Sequence, residues 1–307
     1  MGGENQSSAE GFLIVGFTDL PLLRVPLFVV LLLSYLMTLL GNLLIMVTIY
    51  YNSHLHTPMY FFLSNLSFID ICHTSNIFPQ MLAYFFQEGT HMSFIECMLQ
   101  VYFFIASIFT ELFVLSVMAF DRYVAICIPL RYMTIMNKGV CVQLAVGIWA
   151  FGLLFSLLYI SLISDLTFCG SRTINHFFCD LTALMKISCS STRVIEVLTY
   201  VLGVIITLGS FTLIITSYIN IISSILKIKS SGGRQKAFLT CASHLTVVVI
   251  FYGSAASSYI RPTSTYSMKE NKMVSLSYIA VTPMCNPIIY SLKNADVIKG
   301  LRKFLLL

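Results

Sequence analysis

The sequence predicts an all-α polytopic membrane protein: a bundle of seven transmembrane helices with an extracellular N-terminus and a cytoplasmic C-terminus. Three observations carry this reading. The 307 residues are 57% hydrophobic and 10% charged, with a mean hydropathy of +0.86, whereas soluble domains carry about 25% charged residues. Seven runs reach the roughly 20 apolar residues a helix needs to cross a bilayer. The Lys and Arg residues gather on alternate loops, as the positive-inside bias requires.

In chain order the runs are 26–49, 58–80, 98–121, 140–163, 197–226, 238–260 and 272–291. Residues 1–25 form a polar tail without the basic start, apolar core and small-residue cleavage site of a signal peptide. The first span is therefore expected to begin insertion. The fifth is long enough to project past the bilayer. The seventh is the least apolar, with Ser275, Ser277, Thr282 and Asn286 inside it. There Pro287 removes a helix hydrogen bond and permits a kink. Residues 26–291 thus make the bundle, with a long extracellular loop at 164–196 whose length points to a function. Residues 292–307 are expected to be a short cytoplasmic tail with an amphipathic helix.

Basic residues set the orientation. Arg122, Arg131, Lys138, Lys227, Lys229, Arg234, Lys236, Lys293, Lys299, Arg302 and Lys303 fall on one side, beside only Asp121 and Asp296. The opposite side holds the other seven Lys and Arg with most of the acids. The first side is the cytoplasm. An extracellular tail makes the Asn5-Gln6-Ser7 sequon available for glycosylation. Of nine cysteines, Cys97, Cys169, Cys179 and Cys189 lie on the outer side, where an oxidising compartment favours two disulfides. Four cysteines allow three pairings, and the spacing does not choose among them. No His/Cys pair has metal-ligand spacing, and the net charge of +5 gives no reason to expect nucleic acid as a partner.

Ionisable groups inside the spans cost about 2.5–3.5 kcal/mol each on insertion scales, so those present need a reason. Asp121 and Arg122 stand together at the cytoplasmic end of the third span, in MAFDRYVAIC (118–127). Asp70 and Glu111 lie within the second and third spans and should face the interior with Asn42 and Asn286. Phe104, Ile105, Ile108 and Phe109 make one helical stripe in the outer half of the third span.

Six blocks now stand in order: GNLL (41–44), LHTPMYFFLSNLSFIDIC (55–72), MAFDRYVAIC with PLRY (118–132), Ser217-Tyr218, KAFLTCASHL (236–245) and PMCNPIIYSLKN (283–294). Asp-Arg-Tyr after the third span and Asn-Pro-x-x-Tyr in the seventh resemble rhodopsin-like G-protein-coupled receptors. The whole set, from about Phe12 to Arg302, resembles the olfactory (odorant) receptor family. That resemblance implies a receptor that binds a small volatile odorant and activates a stimulatory, olfactory-type G protein to raise cyclic AMP. It implies no catalysis and no cofactor; the intramembrane acids Asp70 and Glu111, with Asn42 and Asn286, are read separately either as holding a sodium ion or waters in the inactive state or as a protonated structural pair. It places the protein in the plasma membrane, in the cilia of olfactory sensory neurons.

The resemblance also assigns roles. Arg122, with Tyr218 and Tyr290, should rearrange on activation and receive the G protein; Asp121, Tyr123, Asn286 and Pro287 belong to the same coupling and activation set, with Lys236 and His244 as family-specific partners at the inner end of the sixth helix. The odorant pocket should draw on the Phe104 stripe together with Leu202, Ile206, Tyr252, Ala256, Tyr259, Leu276 and Ile279. This lining is apolar with a few hydroxyls and contains no acid for an amine. Cys97 should pair with Cys179 and Cys169 with Cys189, folding the long loop into a lid. Four positions depart from the family pattern: Gln80 in place of Lys, Leu239 of Ser, Cys285 of Leu, and Ile128 of a more polar residue. Two other classes compete. A transporter or channel would want repeated halves, broken helices or rings of intramembrane charge, and the sequence has none. A non-olfactory rhodopsin-like receptor for a peptide or lipid would usually carry a more charged outer loop or tail.

Overall fold

Lipid cannot satisfy a polar backbone, so each long apolar run must close its hydrogen bonds internally and becomes a helix. The computed structural model describes residues 11–16, 24–87, 89–228, 230–259, 268–293 and 297–300. Seven helices of 26 residues or more make the bundle: α1 (Arg24–Tyr51), α2 (Pro58–Ala83), α3 (Phe94–Cys127), α5 (Lys138–Ser164), α7 (Arg193–Leu226), α8 (Ser231–Tyr259) and α9 (Met268–Lys293). Two short helices, α4 (Tyr132–Ile135) and α6 (Leu181–Ile187), lie in the loops that follow α3 and α5. Among the described residues, α1, α3, α5, α7 and most of α8 are long and apolar enough to cross a membrane. The less apolar α2 and α9 are the helices that carry Asp70 and Asn286.

α3 is the axis. It packs against α2, α5, α7 and α8, and 67% of its apolar stretch is buried, against 11% for α7. Ser93 and Glu96 start it with a reciprocal capping box. With no breaker before Pro129, it runs 34 residues, about 50 Å at 1.5 Å per residue. Asp121 and Arg122 therefore lie inside the helix, more than a turn before its end. α1 meets α9 where only a glycine fits: a Cβ on Gly41 would come within 2.7 Å of the Pro287 ring. The same holds between α5 and α3, where a Cβ on Gly152 would overlap Thr110 Oγ1. Outward faces are apolar, and Tyr50 and Tyr51 are exposed at the inner end of α1, the level at which interfacial aromatics anchor a span.

A small sheet adds to the predicted all-α plan on the extracellular side. β1 (Phe12–Ile14) pairs antiparallel with β2 (Thr90–Met92) and parallel with β3 (Thr173–Ile174). Phe12 and Ile14 are fully buried, and Phe12 meets Phe168 edge to face at 5.1 Å. The N-terminal segment thus ties together loops that lie far apart in sequence. Disulfides join Cys97 to Cys179 and Cys169 to Cys189. At the opposite end residues 297–300 are helical, and a Cβ on Gly300 would press on Thr48 and Asn52. The rest of the expected amphipathic tail, like Asn5, lies outside the described residues.

Candidate functional site

On the cytoplasmic side, Asp121 and Arg122 form an ion pair at 3.5 Å, with Asp121 fully buried and the Arg122 side chain 17% exposed. Tyr132, in α4, donates to Asp121 Oδ1 at 2.8 Å. The carboxylate is thus held both by its neighbour in α3 and by the loop beyond. Burial first, and then the Asp121 carboxylate, push the Tyr132 phenol above its ordinary value, so it stays a donor throughout the cellular pH range. Across the bundle the Tyr218 and His244 rings stack at 5.8 Å. The Tyr218 hydroxyl lies 2.7 Å from His244 Nδ1 and 3.3 Å from the Cys241 carbonyl. Tyr290 is 1% exposed, and its hydroxyl has no hydrogen-bond partner among the described residues. Tyr123 packs between the two apolar clusters that flank this region. Lys236 lies in the first turns of α8, and its side chain is outside the described residues.

At mid-depth, Asn286 Nδ2 donates to both oxygens of Asp70, at 2.9 and 3.2 Å. Asn42 Nδ2 donates to the carbonyls of Thr38 and Pro283 at 3.0 and 3.4 Å. Glu111 is 2% exposed and Asp70 is fully buried. Among the described residues Glu111 Oε1 and Asn42 Oδ1 have no hydrogen-bond partner. Unpaired oxygens cost free energy in a dry interior, so two of them beside a second carboxylate make a setting suited to a small cation or to water. Among the described residues no group of three or more His, Cys, Asp or Glu side chains could hold a metal.

In the outer half, the Phe104 ring lies between His73 at 5.4 Å and Phe178 at 5.1 Å. Ser107 donates to the Phe104 carbonyl at 2.8 Å, so the 2.8 Å contact to His73 Nδ1 requires the imidazole to be the donor there. Ile105 is buried, and Ile108 is half-buried. Phe109 turns toward α5, meeting Phe155 edge to face at 4.7 Å. The stripe therefore serves two neighbours. Leu202 and Ile206 are half-buried on α7, and Leu276 and Ile279 are buried on α9. Tyr252 hydrogen-bonds Ser210 and tilts over Phe211, linking α8 to α7. Ala256 and Tyr259 follow on α8, with side chains outside the described residues.

Sequence reasoning missed the residue that joins these outer parts. Gln100 Nε2 donates to the Asn76 carbonyl at 3.0 Å and to Gln80 Oε1 at 2.8 Å, while its Oε1 accepts from the Cys179 amide at 2.8 Å. One side chain thereby connects α2, α3 and the disulfide-bonded loop. A glutamine in an apolar run was the available signal, and Gln80 was noticed only as a departure from a pattern. His73 and Tyr132 were missed in the same way.

The sequence profile described as "Olfactory receptor" matches residues 31–307. Human olfactory receptor 8G1 is 46% identical over 305 residues, covering 99% of this chain and 98% of that protein. Human olfactory receptor 5A1 is 48% identical over 303 residues, covering 98% and 96%. Mouse olfactory receptor 8B8 is 46% identical over 306 residues, covering 99% and 98%.

Proposed function

The chain belongs to the olfactory receptor family, and from that premise we propose that it detects a small, mostly apolar volatile and signals through a stimulatory G protein to cyclic AMP. Membership makes it a multi-pass plasma-membrane receptor of the G-protein-coupled class and not an enzyme. The finer reading concerns ligand, transducer and mechanism.

The observation that supports the ligand reading is the Phe104 surround. An aromatic ring backed by Phe178 of the disulfide-bonded loop, with the His73–Ser107 pair below it, joins apolar surface to fixed polar groups, as small-molecule sites do. Leu202, Ile206, Tyr252, Ala256, Tyr259, Leu276 and Ile279 complete the proposed wall. A ligand that binds the active arrangement more tightly shifts the population toward it. In that shift Arg122 leaves Asp121, and Tyr218 and Tyr290 turn toward the vacated space, where the G protein engages the cytoplasmic face. Asp70, Glu111, Asn42 and Asn286 would hold a sodium ion in the resting state, its charge offsetting two buried carboxyls; none of the steps passes through the ion.

The test is a panel of volatiles applied to cells that express the full chain, a stimulatory olfactory-type G protein and a cyclic-AMP reporter. The reading predicts ligand-dependent cyclic AMP that disappears without the G protein. A ligand-dependent ionic current that persists without it would replace this reading with a channel.

A further inference from the structure

The cytoplasmic ends of α7 and α8 line an open groove of about 370 Å³, formed by Ile222, Ile225, Leu226, Phe238, Arg234 and Gln235. Its size falls within the roughly 300–1,000 Å³ of small-molecule sites. Ile225 forms the floor at 5% exposure, whereas Leu226 and Phe238 are 69% and 61% exposed.

Helical spacing decides what can enter. On α7 the buried residues Ile214, Tyr218, Ile221 and Ile225 face the bundle. One position further on, Ile215, Ile219, Ile222 and Leu226 form an exposed apolar stripe. The groove takes two residues from that stripe, so it opens toward the lipid and away from Arg122 and Tyr218. Its polar lining includes the exposed Arg234, and Lys227, which follows the lining residue Leu226 as the C-cap of α7, is exposed as well. No Asp or Glu occurs between Glu196 and Glu270 to neutralise them. A segment of the G protein would need access from the bundle interior, and a second copy of this chain would bring the same positive charge.

We propose that this groove binds an anionic phospholipid of the inner leaflet. One acyl chain lies against Ile222, Leu226 and Phe238, and the phosphate meets Arg234 with Lys227 beside it. Bridging two helix ends, the lipid holds α8 against α7. Cationic clusters at the cytoplasmic membrane face attract such lipids, and the apolar slot adds a place for the chain. The inference rests on the groove, its charge and the orientation of the chain in the membrane, and is independent of odorant and transducer.

Trp149 is the one tryptophan of the chain and is bonded to Asn65 of α2, so Phe238→Trp adds a reporter at the groove. The full-length variant is placed in nanodiscs containing phosphatidylserine or phosphatidylcholine with brominated chains, at equal mole fraction. Quenching of Trp149 in the parent receptor is subtracted. Brominated phosphatidylserine should quench the added tryptophan about twofold more than brominated phosphatidylcholine, and Arg234→Glu with Lys227→Glu should bring the two lipids level. If the charge reversal misfolds, the milder pair Arg234→Gln and Lys227→Gln, which should reduce the preference, carries the test. Equal quenching by both lipids in the Phe238→Trp receptor would overturn the proposal, as would a preference that survives the charge changes. So would absence of quenching by either lipid, the outcome expected if a protein segment or second copy covers the groove.

Discussion

Tyr132 donates a 2.8 Å hydrogen bond to Asp121, joining the loop after α3 to the carboxylate that pairs with Arg122. A hydrogen bond to a charged group contributes about 1.5–3 kcal/mol. If it exists only in the resting arrangement, Tyr132→Phe should favour the active one. Ligand-independent cyclic AMP, normalised to surface receptor, should rise several-fold. An unchanged or lower basal level would show that this bond does not hold the resting state.

Gln100 should be as important to the outer loops as Tyr132 is to the inner face. Gln100→Leu leaves the buried Cys179 amide without its partner, at about 1–3 kcal/mol, and also removes the bond to the half-buried Gln80. The purified receptor should unfold at a lower temperature, and its ligand affinity should fall because the loop is no longer tied to α2 and α3. Equal melting temperatures for variant and parent would contradict this role.

Gly41 is there because α1 and α9 touch. Gly41→Val places methyl groups where a Cβ alone would stand 2.7 Å from the Pro287 ring. Overpacking of this kind costs about 1–3 kcal/mol, so surface expression should drop sharply. Gly147, whose Cβ would meet nothing within 4 Å, supplies the control: Gly147→Ala should express like the parent.

The mid-bundle acids give a prediction about ions. Asp70→Asn removes one of the two carboxyls proposed to hold sodium, so the dependence of ligand affinity on sodium concentration should flatten, with potassium as the ionic-strength control. A variant with the parent's sodium response would leave Asp70 and Glu111 as structural groups only.

In the proposed pocket, Phe104→Ala removes the ring between His73 and Phe178 and should raise the half-maximal concentration of an activating volatile by tenfold or more, about 1.4 kcal/mol. Tyr252→Phe, which keeps the ring and loses the bond to Ser210, should have a smaller effect. An unshifted dose–response for Phe104→Ala would move the ligand elsewhere.

The bundle was legible because apolar length fixes membrane helices and basic loops fix their orientation. Helix ends were less so. The third run was expected to stop at residue 121, but Tyr123 to Cys127 contain no breaker, and the helix continues to Cys127. β1 could not be read: Phe12, Leu13 and Ile14 are three apolar residues in a polar tail, and their partners lie about 80 and 160 residues away. Gln100, His73 and Tyr132 could be seen as polar groups near or within apolar runs, but their partners come from other helices and loops, which one-dimensional spacing does not reveal. Phe109 shows the same limit, since a four-residue stripe does not say which neighbour each ring faces.

Arg122 is the group proposed to pass ligand binding to the G protein. Nucleotide exchange on a purified stimulatory G protein, driven by the full-length receptor at saturating volatile, measures that step directly. Arg122→Ala should bind the volatile with near-parental affinity yet lose tenfold or more of the exchange rate, about 1.4 kcal/mol in barrier. An exchange rate equal to the parent's at equal occupancy would contradict the assignment.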